Sequence, residues 1–124
     1  MLSTAPIMPQ LTIRPIQEQD WPAILALQAE AYYAVEPESE AVLKSKTRLG
    51  PETCLVACRG AQILGYCLAH PWDARQPAAL YRCYPQPAGE ESLYIHDVVV
   101  SPAAQGLGIA RRFVEQTLVG RPQW

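Results

Sequence analysis

The sequence lacks most of what marks membrane, secreted, metal-stapled and nucleic-acid-binding proteins. No apolar run approaches the ~18 residues of a transmembrane helix. The N-terminus, MLSTAPIMPQ, has neither a basic region nor a long apolar segment, so no secretory leader is expected and the expected location is the cytoplasm. None of the four cysteines forms a CxxC pair, and only His70 and His96 accompany them, which argues against a zinc site and against any metal. There is no positive excess. A net charge of −2 argues against nucleic acid or an anionic membrane as partner. No internal repeat is visible.

What is present fits one small domain. The chain has 124 residues, 49% of them apolar, enough for a core. Cys54, Cys58 and Cys67 fall in apolar strand-like runs and read as buried, reduced thiols; Cys83 is the fourth. Residues 1–10 read as a loose leader and 11–124 as the domain. Leu11 to Pro15 alternates like a short strand. Asp20 reads as the N-cap of a helix with Pro22 in its first turn and Ile24, Leu27 and Ala31 on one face. Tyr32 and Tyr33 close it. They either line a pocket or half-bury with their hydroxyls in water, the commoner outcome. Ser39 reads as the cap of a second helix, with Val42, Leu43 and Leu49 apolar, and Gly50-Pro51 stops it. Thr53 to Arg59 and Gln62 to His70 read as an antiparallel hairpin about Gly60-Ala61. Residues 71–92, rich in proline, read as a long loop, either a lid or an insertion.

The organising stretch is Tyr94 to Leu118. Leu93, Ile95, Val98, Val99 and Val100 predict a buried strand that Ser101-Pro102 ends. Gln105-Gly106-Leu107-Gly108-Ile109-Ala110 follows, then a helical pattern through Phe113, Val114 and Leu118. A strand thus feeds a glycine turn and the turn feeds a helix. The first amides of a helix have no internal partner and carry its positive dipole end, so small residues there make a candidate phosphate cradle. No Lys-Ser/Thr follows the glycines, and the three-glycine dinucleotide fingerprint is absent.

This turn resembles the Arg/Gln-x-x-Gly-x-Gly/Ala signature of the GNAT superfamily of acyl-CoA-dependent N-acetyltransferases, with Gln105, Gly108 and Ala110 at its fixed positions. Ile13-Arg14-Pro15 with Asp20 before the first helix, and Leu64-Gly65-Tyr66 in the hairpin, are also similar to that family. The resemblance covers residues 11–118. It implies an α/β fold, an α+β mixed sheet of GNAT type, without the family's fifth strand, fourth helix and terminal hairpin. Leu93 to Val100 would then be an apolar sheet edge that invites a partner strand. Either a homodimer completing the sheet or a truncated family member is expected.

The resemblance also implies a chemistry. Acetyl-CoA would be the co-substrate and a primary amine of a small molecule or peptide the acceptor. The backbone of Val98, Val99 and Val100 would hold the thioester arm. The pyrophosphate would lie on the amides of Gln105, Gly106, Leu107, Gly108, Ile109 and Ala110, near Arg111. His96 and Asp97 are the candidate catalytic pair. Strand alternation places them on opposite faces. His96 has the better intrinsic pKa for a base, and Asp97 could order the amine or a water. Equally, His96 could pack on Tyr94 and Asp97 pair near the sheet. Glu36, Glu38 and Glu40 either attract a cationic amine or serve solubility, and Glu90 and Glu91 either reach the site or are solvated. Two other classes stay open: a degenerate acyl-CoA-binding module without turnover, and a structural half-domain that pairs with another chain.

Overall fold

The structure is a computed structural model that describes residues 10–32, 34, 36–72 and 92–119. The expected leader, Tyr33, Cys83, Glu90, Glu91, most of the 71–92 segment with both readings of it, and the tail after residue 119 lie outside the described residues.

Among the described residues four strands form one antiparallel sheet in chain order: β1 (Leu11–Pro15), β2 (Leu55–Arg59), β3 (Gln62–Trp72) and β4 (Ser92–Val100). Helices α1 (Trp21–Ala31) and α2 (Glu40–Leu49) cover one face, and α3 (Ile109–Val119) covers the other. The sheet therefore has a core on each side. Ile24, Leu27 and Leu43 meet Val56, Tyr66 and Leu68 under α1 and α2. Ile109 and Phe113 meet Leu55, Ala57, Leu64 and Cys67 under α3. Burial on both faces explains why β2 reads as a near-continuous apolar run rather than an alternating one. Among the described residues no helix is long and apolar enough to cross a membrane.

Local chemistry accounts for most boundaries. Ser39 is extended and its Oγ accepts from the Val42 amide at 3.2 Å, capping α2 as expected. Gly60, at φ 61°, makes the hairpin turn. Asp20 differs from the expectation. A 3₁₀ turn over Glu18–Asp20 precedes α1, so Asp20 already has helical dihedrals and its carboxylate cannot reach forward. It accepts instead from the Gln17 amide at 2.7 Å and takes both arms of the Arg14 guanidinium at 2.7 and 2.9 Å. This two-pronged contact ties β1 to the start of α1. Ala31, placed on the buried face by spacing, is exposed at the helix end.

The hairpin also runs further than expected. β3 continues through Pro71 to Trp72, opposite Leu93 and Ser92. β2 pairs with β3 only as far as Cys67, so Pro71 lies where nothing on that side needs its missing N–H. β2 starts at Leu55, two residues later than read, because the Thr53 and Cys54 amides turn back to Gly50 O. Cys54, Cys58 and Cys67 are free and buried. Burial pushes the Cys54 and Cys67 thiols up to about 12.

The Arg14 hydrogen bonds hold the Asp20 carboxyl below its ordinary value. Its folded pKa lies below its unfolded one. Its contribution is therefore complete above the unfolded value near ~3.9 and is lost as pH falls through the folded value. Urea midpoints measured against pH should show Asp20→Asn less stable than wild type at pH 7, with the gap closing in acid. A gap independent of pH would contradict this.

Candidate functional site

The site is built on β4, and its geometry turns on one residue. Asp97 pairs with Leu68 and Ile95 with Ala69, so β4 spends two steps where β3 spends one and His96 is the extra residue. Such a bulge interrupts alternation. Leu93, Val98 and Val100 pack toward α3, and Val99 packs toward α1 and α2. Tyr94, opposite buried His70, together with His96 and Asp97, faces the α1–α2 side. The expectation that His96 and Asp97 point to opposite faces is thus corrected: the bulge brings them to the same one.

His96 ends in a buried ionic triangle. Its Nε2 is 2.6 Å from Lys46 Nζ and 2.8 Å from Glu38 Oε1, and Lys46 Nζ donates to Glu38 Oε2 at 2.7 Å. Side-chain exposures are 3% for His96, 0% for Lys46 and 7% for Glu38. Gln28 fixes Glu38 from both sides, its amide accepting from Glu38 N at 3.1 Å and donating to Glu38 O at 3.0 Å. The same Nε2 thus stands between a donor, the Lys46 ammonium, and an acceptor, the Glu38 carboxylate, and either tautomer satisfies one of them. Among the described residues Nδ1 is buried with no hydrogen-bond partner. The His96 ring packs 6.0 Å from Tyr94, as one of the two readings held.

Asp97 has a different setting. Tyr66 donates to Oδ2 at 2.7 Å and Tyr32 to Oδ1 at 2.5 Å. Tyr66 is fully buried, whereas Tyr32 is 39% exposed. Burial, reinforced by Asp97, pushes the Tyr32 phenol up to about 12 and raises that of Tyr66 as well, so both remain donors at neutral pH. The Tyr32 hydroxyl is therefore not left to water but committed to the site. His70, buried beside Tyr94, is held below its ordinary pKa by burial and donates from Nδ1 to Pro71 O at 3.1 Å.

Beyond Val100 the chain makes the glycine turn. Gly106 and Gly108 have φ of 88° and 73°, a region that disfavours any side chain, and a Cβ at either would meet nothing within 4 Å. The Arg112 amide donates to Gly108 O at 3.0 Å, which makes Gly108 the cap and leaves the first amides of α3 open. Val100, Ala104, Gln105, Gly106, Gly108, Ile109, Ala110 and Arg111 line a depression of about 460 Å³ there. Leu107 is exposed beside it, and the Ile109 side chain is buried under α3, so it offers backbone only. The Arg111 guanidinium turns away to Glu115, at 3.1 Å. A second depression of about 240 Å³ shares Val100 and Gln105 and extends past Val99 to Glu30 and Ala31.

Sequence reasoning missed Glu38, Lys46 and Tyr66 as members of this cluster. Lys46 did carry a signal: it follows Leu43 by three on the core-facing side of α2, a place where a lysine needs a partner. Replacing it with methionine removes the ammonium that neutralises buried Glu38. Lys46→Met should lower stability by about 3–5 kcal/mol. Lys46→Met with Glu38→Gln should recover a large part of the loss, read by chemical denaturation. Additive losses would show that the pair is not coupled.

A model of the Acetyltransferase (GNAT) family matches residues 21–119. No curated protein matches the sequence. Among solved structures the fold is similar to Ard1 from Thermoplasma volcanium, at 16% identity and TM-score 0.65 over 88% of this chain and 62% of that one. A GNAT family acetyltransferase from Brucella melitensis in complex with acetyl-CoA aligns at 22% and 0.60, over 90% and 68%. A GCN5-related N-acetyltransferase from Kribbella flavida aligns at 23% and 0.63, over 90% and 66%. The chain spans 62 to 68% of the length of these three proteins.

Proposed function

The chain belongs to the acetyltransferase (GNAT) family, and on that premise we propose that it transfers the acetyl group of acetyl-CoA, the family's co-substrate, to a primary amine of a small molecule or peptide. One observation carries the reading. The two depressions share Val100 and Gln105, so a track leads from the open amides of α3 along β4 to Val99 and Ala31, the chain neighbourhood of Asp97 and Tyr32. An elongated ligand with phosphates at one end and a reactive group at the other matches that track.

The roles follow from the chemistry of each part. Amides from Gln105 to Ala110 receive the pyrophosphate, where the dipole of α3 favours negative charge and the glycines admit it closely. The backbone of Val98, Val99 and Val100 hydrogen-bonds the amide-bearing arm as a neighbouring strand would. Bound acetyl-CoA would supply an activated acetyl thioester, whose C–S bond breaks as the C–N bond to the amine forms; the sulfur leaves as coenzyme A thiolate, and the proton that nitrogen gives up balances it on release as the thiol. Asp97 faces the amine, orients it and receives its proton directly or through a water. Tyr32 and Tyr66 hold that carboxylate in place. His96 is the less suitable base, since Lys46 and Glu38 occupy its Nε2 and its Nδ1 is buried. We assign it a positioning role.

A second reading, an acyl-CoA-binding module without turnover, is favoured by one observation. β4 is the sheet's edge among the described residues, with no described strand beside it on the far side. A second copy of this chain is the partner we assign to that edge. Calorimetry with acetyl-CoA, followed by an amine screen on the same sample, separates the two readings. Gly108→Trp, which adds bulk over the depression at a backbone cost of about 1–2 kcal/mol, should weaken acetyl-CoA roughly tenfold or more while the chain stays folded. Unchanged affinity would remove the α3 cradle from the proposal.

A further inference from the structure

Most cations of this fold are matched to acids. Arg14 meets Asp20, Lys44 meets Glu18 and Glu40, Lys46 meets Glu38, and Arg111 meets Glu115. Among the described residues Arg48, Arg59 and Arg112 have no carboxylate within ion-pair distance. Arg48 is exposed on α2, where water serves it. Arg59 is only partly exposed, and its Nε is buried with no hydrogen-bond partner among the described residues. A buried N–H of a charged group is costly without an acceptor, and an arriving anion relieves that cost.

A second arginine lies on the same face. Register pairs Arg59 with Leu11 and Ala57 with Ile13. Cross-strand partners share a face, and Ala57, Ile13 and Leu11 pack toward α3, so Arg59 leaves β2 on the α3 side. From α3, Arg112 Nη1 donates to the Leu11 carbonyl at 3.4 Å, long for such a bond. Both guanidinium groups therefore reach the neighbourhood of Leu11 from either side of it. Together they carry two positive charges and two planar forks of N–H donors. A phosphate group, close to dianionic at pH 7 and rich in acceptor oxygens, balances both; a carboxylate balances one. The α3 cradle borders β4, and β2 is two strands from β4 in the sheet, about 10 Å at ordinary strand spacing. One phosphate group does not bridge that gap.

We propose that Arg59 and Arg112 form a second oxyanion site, on the β1 flank of α3, which takes a phosphate group independently of the α3 cradle. An occupant would tie the β1–β2 side of the sheet to α3, where Arg112 now reaches Leu11 by one long bond. The site goes beyond the acetyl-transfer reading and does not rest on it.

The Arg59 Nε–H is its own probe, because its resonance reports an acceptor arriving at that atom. Nuclear magnetic resonance would follow it while the 124-residue chain is titrated at pH 7 with sodium phosphate and, separately, with sodium chloride matched in ionic strength. A saturable shift is expected with phosphate and none with chloride. Arg112→Gln should weaken phosphate roughly tenfold, whereas Arg48→Gln, which removes the same charge from α2, should leave the affinity unchanged. Equal response to chloride, which needs no variant, would overturn the site, as would unchanged affinity in Arg112→Gln. Phosphate shifts confined to the amides of Gln105 to Ala110 also remove it, and leave the acetyl-transfer reading standing. Acetyl-CoA is titrated into a parallel sample. Shifts at Gln105 to Ala110 alone support two separate sites. A shift of the Arg59 Nε–H that Arg112→Gln weakens would assign both arginines to the co-substrate and overturn an independent site.

Discussion

The register of β3 against β4 is the constraint on which the rest of the cleft depends. One extra residue, His96, rotates Tyr94, His96 and Asp97 onto a common side while Val98 and Val100 still reach the α3 core. A bulge alone is a weak specification, because a strand can slip to relieve it. Here the extra side chain is anchored in the interior by Lys46 and Glu38. Burying those charges costs several kcal/mol each, a cost offset only while all three partners keep their positions. The price of charge burial thus becomes a penalty on every other register.

The two ends of the cleft work by different means. At the α3 end the proposed recognition is by backbone: open amides, two left-handed glycines and a helix dipole, with Arg111 turned away to Glu115. At the Asp97 end the proposed recognition is by side chains, drawn from β3, β4 and the end of α1. Backbone recognition tolerates change at most positions and forbids bulk at two. Side-chain recognition needs a few particular groups brought together from far apart in sequence.

That difference also governs what could be read beforehand. The strand, turn and helix of residues 92–119 were legible because their signals are local: an apolar run, a proline stop, glycines where φ must be positive, then helical spacing. The order of the elements and the Ser39 cap were legible for the same reason. The site's charged cluster was not. Glu38 and His96 are 58 residues apart and Tyr32 and Asp97 are 65 apart, and no short pattern links such pairs. The bulge has no residue signature, so strict alternation misplaced His96 relative to Asp97. Asp20 was located correctly but given the wrong partner, since nothing in the sequence announces that a 3₁₀ turn precedes α1. Pro71 misled by its type. A proline ends a strand only where its nitrogen would face another strand, and here β2 has already stopped.

The cysteines lend the molecule an unintended gauge. Cys67 is buried within β3 and Cys54 just ahead of β2, Cys54 with its Sγ 3.2 Å from Ala69 O, and neither gives up its proton near neutrality. An alkylating reagent meets a reactive thiolate at these positions only after β2 and β3 part from each other or from their helices. The rate of alkylation therefore clocks how often the sheet breathes open, strand by strand, without any label being added to the chain.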